Sequence, residues 1–243
     1  MVAVLYADGD VMKGAWLSSL VGLLIITGEV VGGFVAKYIM HIKWQIVITT
    51  LLGGIFFAVV ATCTPDTMVA ASVFVSLGVF FIGWTESLAI TTVTLTADNQ
   101  SELGSASGVA GSIRFLISSV AATIYTVILT NRLSQTISSQ VPPKVISAGL
   151  PSTSVGQFIA AFTTGGDAFS KVPGVTPQIL AIGTRAYQEA NASAYRTVFL
   201  TTIAFTGVAV ISALLLPNVD HFLTGKVATT LHKGEKGEVV GTK

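Results

Sequence analysis

The chain contains five stretches of mostly apolar residues, each close to the ~20 residues that an α-helix needs to cross ~30 Å of hydrocarbon. Apolar residues make up 51% of the 243 residues and charged residues only 10%, whereas a soluble domain carries roughly 25% charged residues. The sequence therefore predicts an all-α integral membrane protein with about five transmembrane helices. We expect them at residues 15–36, 46–62, 68–95, 104–130 and 197–216.

The basic residues between and after the spans predict the orientation. The short link Lys37–Lys43 is basic, and the tail 217–243 carries Lys226, Lys233, Lys236 and Lys243. Lysine-rich short connections stay in the cytoplasm, so both segments are predicted to be cytoplasmic. Residues 1–14 then form an extracytoplasmic stub without the basic region of a signal peptide, and we expect further helices upstream.

A hydrophilic stretch, residues 131–196, separates the last two predicted spans. It contains Pro142-Pro143 and Pro173-Gly174, which are turn-forming pairs. Thr176-Pro177 is typical of a helix start, with a capping threonine followed by proline, and predicts a short helix to about Ala190. We expect a long extracytoplasmic loop with short helices before the last span.

Composition and motifs exclude several function classes. Thirteen basic and twelve acidic residues give no footprint for nucleic acid, and the single cysteine, Cys63, excludes a cysteine-built zinc site or an internal disulfide framework. No span contains aspartate or histidine, which the common intramembrane hydrolases require. We therefore predict no enzyme, no catalytic residue, no cofactor and no metal site; a non-transporting membrane subunit stays open as an alternative.

Three ionisable residues fall inside predicted spans: Glu29, Glu86 and Arg114. A charge at the bilayer centre costs ~3 kcal/mol on insertion scales, so such residues usually face the bundle interior. A buried carboxylate whose pKa is raised by desolvation can carry a proton, so these three are the candidates for transport and proton coupling. The alternative is that Arg114 only pairs with Glu86 or a helix-end carbonyl and locks the bundle.

Polar and small residues recur every three or four positions along the fourth span. They predict one polar stripe that either lines a water-filled path or packs on neighbouring helices; its pathway-lining candidates are Ser107, Gly111, Ser118 and Tyr125. Two glycine pairs at small-xxx-small spacing favour close helix packing. These pairs are Gly28 with Gly32 and Gly104 with Gly108.

Depth arithmetic predicts that Glu86 and Arg114 form an ion pair. Glu86 lies about 10 residues before the link that joins spans three and four, and Arg114 about 11 residues after it, so at 1.5 Å per residue both stand roughly 15–17 Å from that link. An ion pair at this depth would offset much of the cost of burying each charge.

Several segments resemble the major facilitator superfamily, and within it the fungal trichothecene efflux pump family. Gly33–Lys37 with Lys43-Trp44 resembles the glycine-then-basic cytoplasmic loop of the second-half repeat. More specific segments are Gly83-Trp-Thr-Glu86, Gln100–Arg114, Ala121–Tyr125 and Asn218–Lys226. The resemblance covers nearly the whole chain but maps it onto the last five helices of a fourteen-helix protein.

The resemblance implies an alternating-access carrier that exports a small hydrophobic compound in exchange for protons. It further implies the plasma membrane, with a vacuolar or vesicle membrane as the alternative, and partner helices from the N-terminal part of the same transporter. Fungal siderophore–iron transporters share much of this layout and are the alternative family.

Overall fold

The computed structural model describes residues 1–7, 10–96 and 102–223, and this part of the chain consists of helices without any strand. Five of its helices are long and apolar enough to cross a membrane, as the sequence predicts. The α-helices are α1 (Val2–Tyr6), α2 (Val11–Ile39), α3 (Ile42–Val60), α4 (Met68–Leu95), α5 (Leu103–Ser147), α6 (Val155–Thr164) and α7 (Pro177–Leu214). Short 3-10 turns occupy Ser152–Ser154, Gly166–Lys171 and Asp220–Phe222.

Helix α4 lies at the centre of the membrane bundle, between α2 on one side and α3 on the other, while α7 packs against both α3 and α5. The α2–α4 contact is built from glycines. A Cβ atom at Gly28 would lie 2.0 Å from the Phe80 carbonyl oxygen, and one at Gly83 would lie 2.1 Å from the Ile25 carbonyl oxygen. Lipid tails are as apolar as the helices, so the hydrophobic effect does not hold helices together inside a membrane. Van der Waals contact at such close backbone approach does so instead.

Helices α2 and α5 extend beyond their predicted bounds, α3 and α7 begin earlier than predicted, and α4 has the predicted bounds, Met68–Leu95. Helix α2 begins at Val11 because the Asp10 side chain caps it, accepting hydrogen bonds from the backbone amides of Met12 (2.8 Å) and Lys13 (3.2 Å). Helix α5 continues to Ser147 and α7 already begins at Pro177. The predicted loop 131–196 is therefore mostly helical, and Thr176–Pro177 starts a helix that runs without a break into the last predicted span.

The prediction that Pro142-Pro143 forms a turn is wrong, because both prolines lie inside α5. Proline removes a backbone hydrogen bond and strains a helix interior. The acceptor carbonyls that lose their partners belong to Ser138 and Ser139, which are exposed and free to bond water. Val141 and Val145 in the same segment are completely buried, and this burial favours the continuous helix.

The second half of α5, helix α6 and the first half of α7 enclose an apolar core of their own. Phe158 lies at its centre, fully buried, and its ring fills the space left by Gly183, where a Cβ atom would lie 2.3 Å from the ring. Phe162 stacks on Tyr187 with 4.1 Å between ring centroids. We call this unit, residues 133–190, the cap; it makes α5 and α7 a rigid pair beyond the membrane bundle.

The segment after α7 returns to the start of α3. The Asp220 carboxylate accepts a hydrogen bond from the Ile42 backbone amide at 2.9 Å, which satisfies an amide that the helix start leaves unpaired. Met40 and His41 both have positive φ, 55° and 53°, a backbone conformation that costs non-glycine residues of order 1–3 kcal/mol each. Asp220 and the Gln45 side chain, which donates to the Met40 carbonyl at 2.6 Å, hold this strained turn.

Candidate functional site

Glu86 on α4 and Arg114 on α5 form a salt bridge, so the ion pair that the depth arithmetic predicts is present. The Glu86 side chain is 18% exposed and that of Arg114 is 52% exposed. The two helices run antiparallel from their connection, which places residues at equal distance from it side by side. The pair is the one intramembrane salt bridge in the described part of the chain.

The ion pair lies in a cavity of about 550 Å³ between α4 and α5. Ser107 and Gly111, two members of the predicted stripe on α5, line it together with Arg114. Apart from Thr85 and Glu86, the wall that α4 contributes is aliphatic. It consists of Ile82, Ala89, Ile90 and Val93. The cavity therefore combines a largely apolar wall with one pair of opposite charges, which is the composition of a small-molecule site with few polar groups.

A buried polar network supports the α4 wall from behind. The hydroxyl of Thr85 lies 2.8 Å from that of Thr49 on α3 and 3.4 Å from that of Thr50. The indole of Trp84, which precedes Thr85 in the chain, donates at 3.3 Å to the side-chain oxygen of Gln45, one helical turn before Thr49 on α3. Thr49, Thr50 and Gln45 are all buried, so these bonds fix the rotation of α4 and hence the direction of Glu86. Sequence reasoning missed this network, because single threonines in apolar helices carry no pattern.

The other predicted site residues lie elsewhere. Glu29 is half-buried on α2 and outside the cavity, and its side chain makes no hydrogen bond or salt bridge within the described ranges. Ser118 is exposed and lines neither cavity that borders α5. Tyr125 lines a separate cavity of about 480 Å³, where its ring lies 5.2 Å from that of Phe205 on α7. The structure thus brings together Glu86, Arg114, Ser107 and Gly111 only.

The two predicted glycine pairs differ in their surroundings. A Cβ atom at Gly28 or Gly32 would collide with Phe80 or Trp84 of α4, whereas one at Gly104 or Gly108 would meet open space. The membrane part of α5 has no buried residue before Thr136, and Gly104 and Gly108 do not pack against any residue of the described chain.

A second charged cluster lies at the far end of the bundle, around the turn 61–67 between α3 and α4. Arg185 on α7 donates to the Asp66 carboxylate at 2.7 Å through one guanidinium nitrogen and bonds its other oxygen through the second. Arg185 also donates to Glu189 at 3.0 Å, and Lys144 on α5 reaches Glu189 at 2.5 Å. Hydrogen bonding from the Arg185 guanidinium lowers the pKa of Asp66 below its ordinary value. Sequence reasoning did not anticipate this cluster, since it joins residues far apart in the chain.

No group of three potential metal ligands occurs among the residues that the structure describes.

Comparison with known proteins decides the family. The model of the fungal trichothecene efflux pump family matches residues 8–240, nearly the entire chain. The chain belongs to the fungal trichothecene efflux pump family. It is accordingly a multi-pass membrane protein, and the resemblance identified from the sequence segments is confirmed.

Relatives of the efflux pump family agree with this assignment. An MFS-type transporter of Penicillium rubens is 26% identical over 228 residues, which are 93% of this chain and 41% of that protein. Trichothecene efflux pumps of Fusarium sporotrichioides and Trichoderma arundinaceum are 22% and 23% identical, over 90% and 93% of this chain and 36% and 38% of those proteins. The chain therefore spans about two fifths of the length of these relatives. No solved structure matches it significantly.

Proposed function

We propose that this chain supplies one wall of a proton-coupled carrier that exports a small hydrophobic compound. The observation that carries the proposal is the Glu86–Arg114 salt bridge inside a largely aliphatic cavity. The names of the relatives, which are transporters and efflux pumps, favour export over siderophore uptake, over a non-transporting subunit and over an enzyme.

The cavity chemistry supports proton coupling at Glu86. As a carboxylate, Glu86 holds the Arg114 guanidinium across the α4–α5 contact; once protonated, it loses the charge that binds Arg114. A proton bound at Glu86 thereby weakens one of the few links between α4 and α5. Carriers of this kind bind substrate near the midplane and rock two bundles about it, so a contact that opens on protonation fits the cycle.

The cavity also favours the substrate class. Its α4 wall is lined by Ile82, Ala89, Ile90 and Val93, which suits an apolar molecule. Because the cavity is open on the exposed side of α5, we infer that the opposite wall comes from further helices of the same transporter that these 243 residues do not contain. A carrier that removes a toxic compound from the cell would act in the plasma membrane.

The test uses a chimera in which this chain replaces the matched segment of the Fusarium sporotrichioides pump. Yeast expressing the chimera is loaded with a trichothecene, and export is measured together with proton uptake. We expect Glu86→Gln, which keeps the size but not the charge, to abolish coupled export. Glu29→Gln is the matched control, because it removes the other intramembrane carboxylate, which lies outside the cavity.

Two results would overturn the proposal. One is coupled export at the unaltered rate with Glu86→Gln while Glu29→Gln abolishes it, which would move proton coupling to α2. The other is export by the 243-residue chain expressed alone, which would show that no further helices are needed.

A further inference from the structure

A groove of about 570 Å³ lies beside the charged cluster at the far end of the bundle, between the turn 61–67 and one face of α7. The α7 side is a row of residues at helical spacing, with charged side chains at both ends and small side chains between them. The row consists of Arg185, Glu189, Ala192, Ser193 and Arg196. Because Ala192 and Ser193 are small, the middle of the groove stays open.

The charges in this groove do not all cancel. Arg185 is held by both Asp66 and Glu189, and Glu189 is also bound by Lys144. Arg196 lies at the other end of the row, and its side chain makes no hydrogen bond or ion pair with any residue that the structure describes. The groove therefore presents one uncompensated guanidinium, and no free carboxylate competes for it.

Two further features define what this guanidinium can bind. The Ser193 hydroxyl, about one helical turn before Arg196, likewise has no hydrogen-bond partner in the described part of the chain. The residues that follow Arg196 up to Leu214 are uncharged, so Arg196 lies where the polar end of α7 passes into its membrane-spanning part. In a bilayer, a guanidinium and a hydroxyl at this level would lie in the layer of lipid headgroups, and the planar guanidinium fork matches two phosphate oxygens.

We propose that this groove binds the phosphodiester of a phospholipid headgroup. Arg196 donates two hydrogen bonds to the phosphate oxygens, and the Ser193 hydroxyl donates a third. The single negative charge of the phosphodiester neutralises the single uncompensated charge of the groove. The acyl chains then extend along the apolar surface of α7 below Arg196. The site is separate from the Glu86 cavity and does not depend on the transport proposal.

The test titrates the purified 243-residue chain in detergent with short-chain phosphatidylglycerol and, separately, with inorganic phosphate, and counts bound molecules by native mass spectrometry. We expect saturable binding of the lipid and an affinity loss of about 10-fold or more with Arg196→Gln, since hydrogen bonds to a charged group are each worth enough for such a factor. The lipid affinity of Arg196→Lys should lie between that of the native chain and that of Arg196→Gln, because lysine keeps the positive charge but lacks the planar fork of the guanidinium.

Arg132→Gln is the matched control. Arg132 lies at a similar level on α5, but its guanidinium already donates to Thr197 at 3.2 Å and to Gln135 at 3.1 Å, so its loss should leave lipid binding unchanged. Ser193→Leu is a second variant, which keeps Arg196 and fills the groove, and it should weaken binding to a similar degree as Arg196→Gln. Circular dichroism verifies that each variant is folded.

Three results would overturn the proposal: unchanged lipid affinity in both Arg196→Gln and Ser193→Leu, an equal loss in Arg132→Gln, or inorganic phosphate that binds as tightly as the lipid. The last result would identify a site for free anions instead.

Discussion

Helix α4 contacts two of its neighbours, α2 and α5, in opposite ways. Against α2 there is no room for a Cβ atom at Gly28 or Gly83, because such an atom would lie about 2 Å from a carbonyl oxygen of the opposite helix. Against α5 there is a cavity of about 550 Å³ bridged by one salt bridge. The first contact has a single arrangement set by the backbone, whereas the second is open apart from the salt bridge. If Glu86 couples protons as proposed, α2–α4 is the static part of the bundle and α4–α5 is the part that moves.

The largest effect is expected at Gly28. Gly28→Leu places a side chain where even a Cβ atom would lie 2.0 Å from the Phe80 carbonyl oxygen, so α2 must move away from α4. Overpacking typically costs 1–3 kcal/mol and more where backbone must shift. We expect loss of monodisperse protein in detergent, measured by fluorescence-detected size-exclusion chromatography.

Gly108→Leu is the matched control, because a Cβ atom there meets open space. If Gly108→Leu is as damaging as Gly28→Leu, the two contacts of α4 do not differ as described.

A smaller effect is expected at Arg114. Arg114→Ala leaves the Glu86 carboxylate without its partner, which costs ~3–5 kcal/mol for a fully buried pair; the cost should be lower here because the Arg114 side chain is 52% exposed. We expect a lower melting temperature of the detergent-solubilised chain, measured by intrinsic fluorescence.

The double exchange Glu86→Arg with Arg114→Glu should recover part of this loss, since it restores opposite charges at the same depth. A double exchange that melts no higher than Arg114→Ala would mean that the salt bridge contributes nothing to the α4–α5 contact.

The next effect tests whether the static part of the bundle extends to α3. Asp220→Ala removes the acceptor for the Ile42 amide, and loss of a helix N-cap costs ~0.5–2 kcal/mol. We expect faster hydrogen–deuterium exchange at the start of α3, while Asp220→Asn, which keeps an acceptor oxygen, should exchange nearly as the native chain does. Equal exchange in all three proteins would contradict the role of Asp220.

The smallest effect concerns the Asp66–Arg185 link between the turn 61–67 and the cap. Arg185 lowers the pKa of Asp66 in the folded chain, so the link stabilises the fold above the ordinary aspartate pKa and is lost as pH falls through the lowered value. Acidification from pH 6 to below about 4 should therefore lower the melting temperature slightly more in the native chain than in Asp66→Asn. An identical decrease in both, at low salt, would show that the link is without effect.

The sequence predicts those features that depend on composition or on distance along a helix. Charge-free apolar runs identify the five spans, and counting 1.5 Å per residue from one connection places Glu86 and Arg114 at the same depth. Helices α4 and α5 are also rotated about their axes so that both side chains face the contact between them. The residue count alone does not require this rotation.

What the sequence does not predict depends on contacts between distant segments. Pro142-Pro143 is a turn signal that burial of Val141 and Val145 overrides. Gly83 contacts α2 because of how α4 is rotated, which the threonine and Gln45 bonds from α3 help to fix. Asp220 caps a helix whose first residue lies 178 positions earlier, a partner that no local pattern indicates.

The most direct measurement compares the two contacts of α4 within one chimera freed of cysteines, including Cys63. A spin label at Thr96, at the end of α4 and outside the cavity, is paired with one at Tyr38 on α2 and, in a second sample, with one at Val109 on α5; all three side chains are exposed. Double electron–electron resonance is recorded with and without substrate, at neutral and at acidic pH. We predict that the Thr96–Val109 distance distribution shifts with substrate and pH while the Thr96–Tyr38 distribution stays constant. A shift of the α2–α4 distance distribution, or an α4–α5 distribution that changes with neither substrate nor pH, would contradict this division of the bundle.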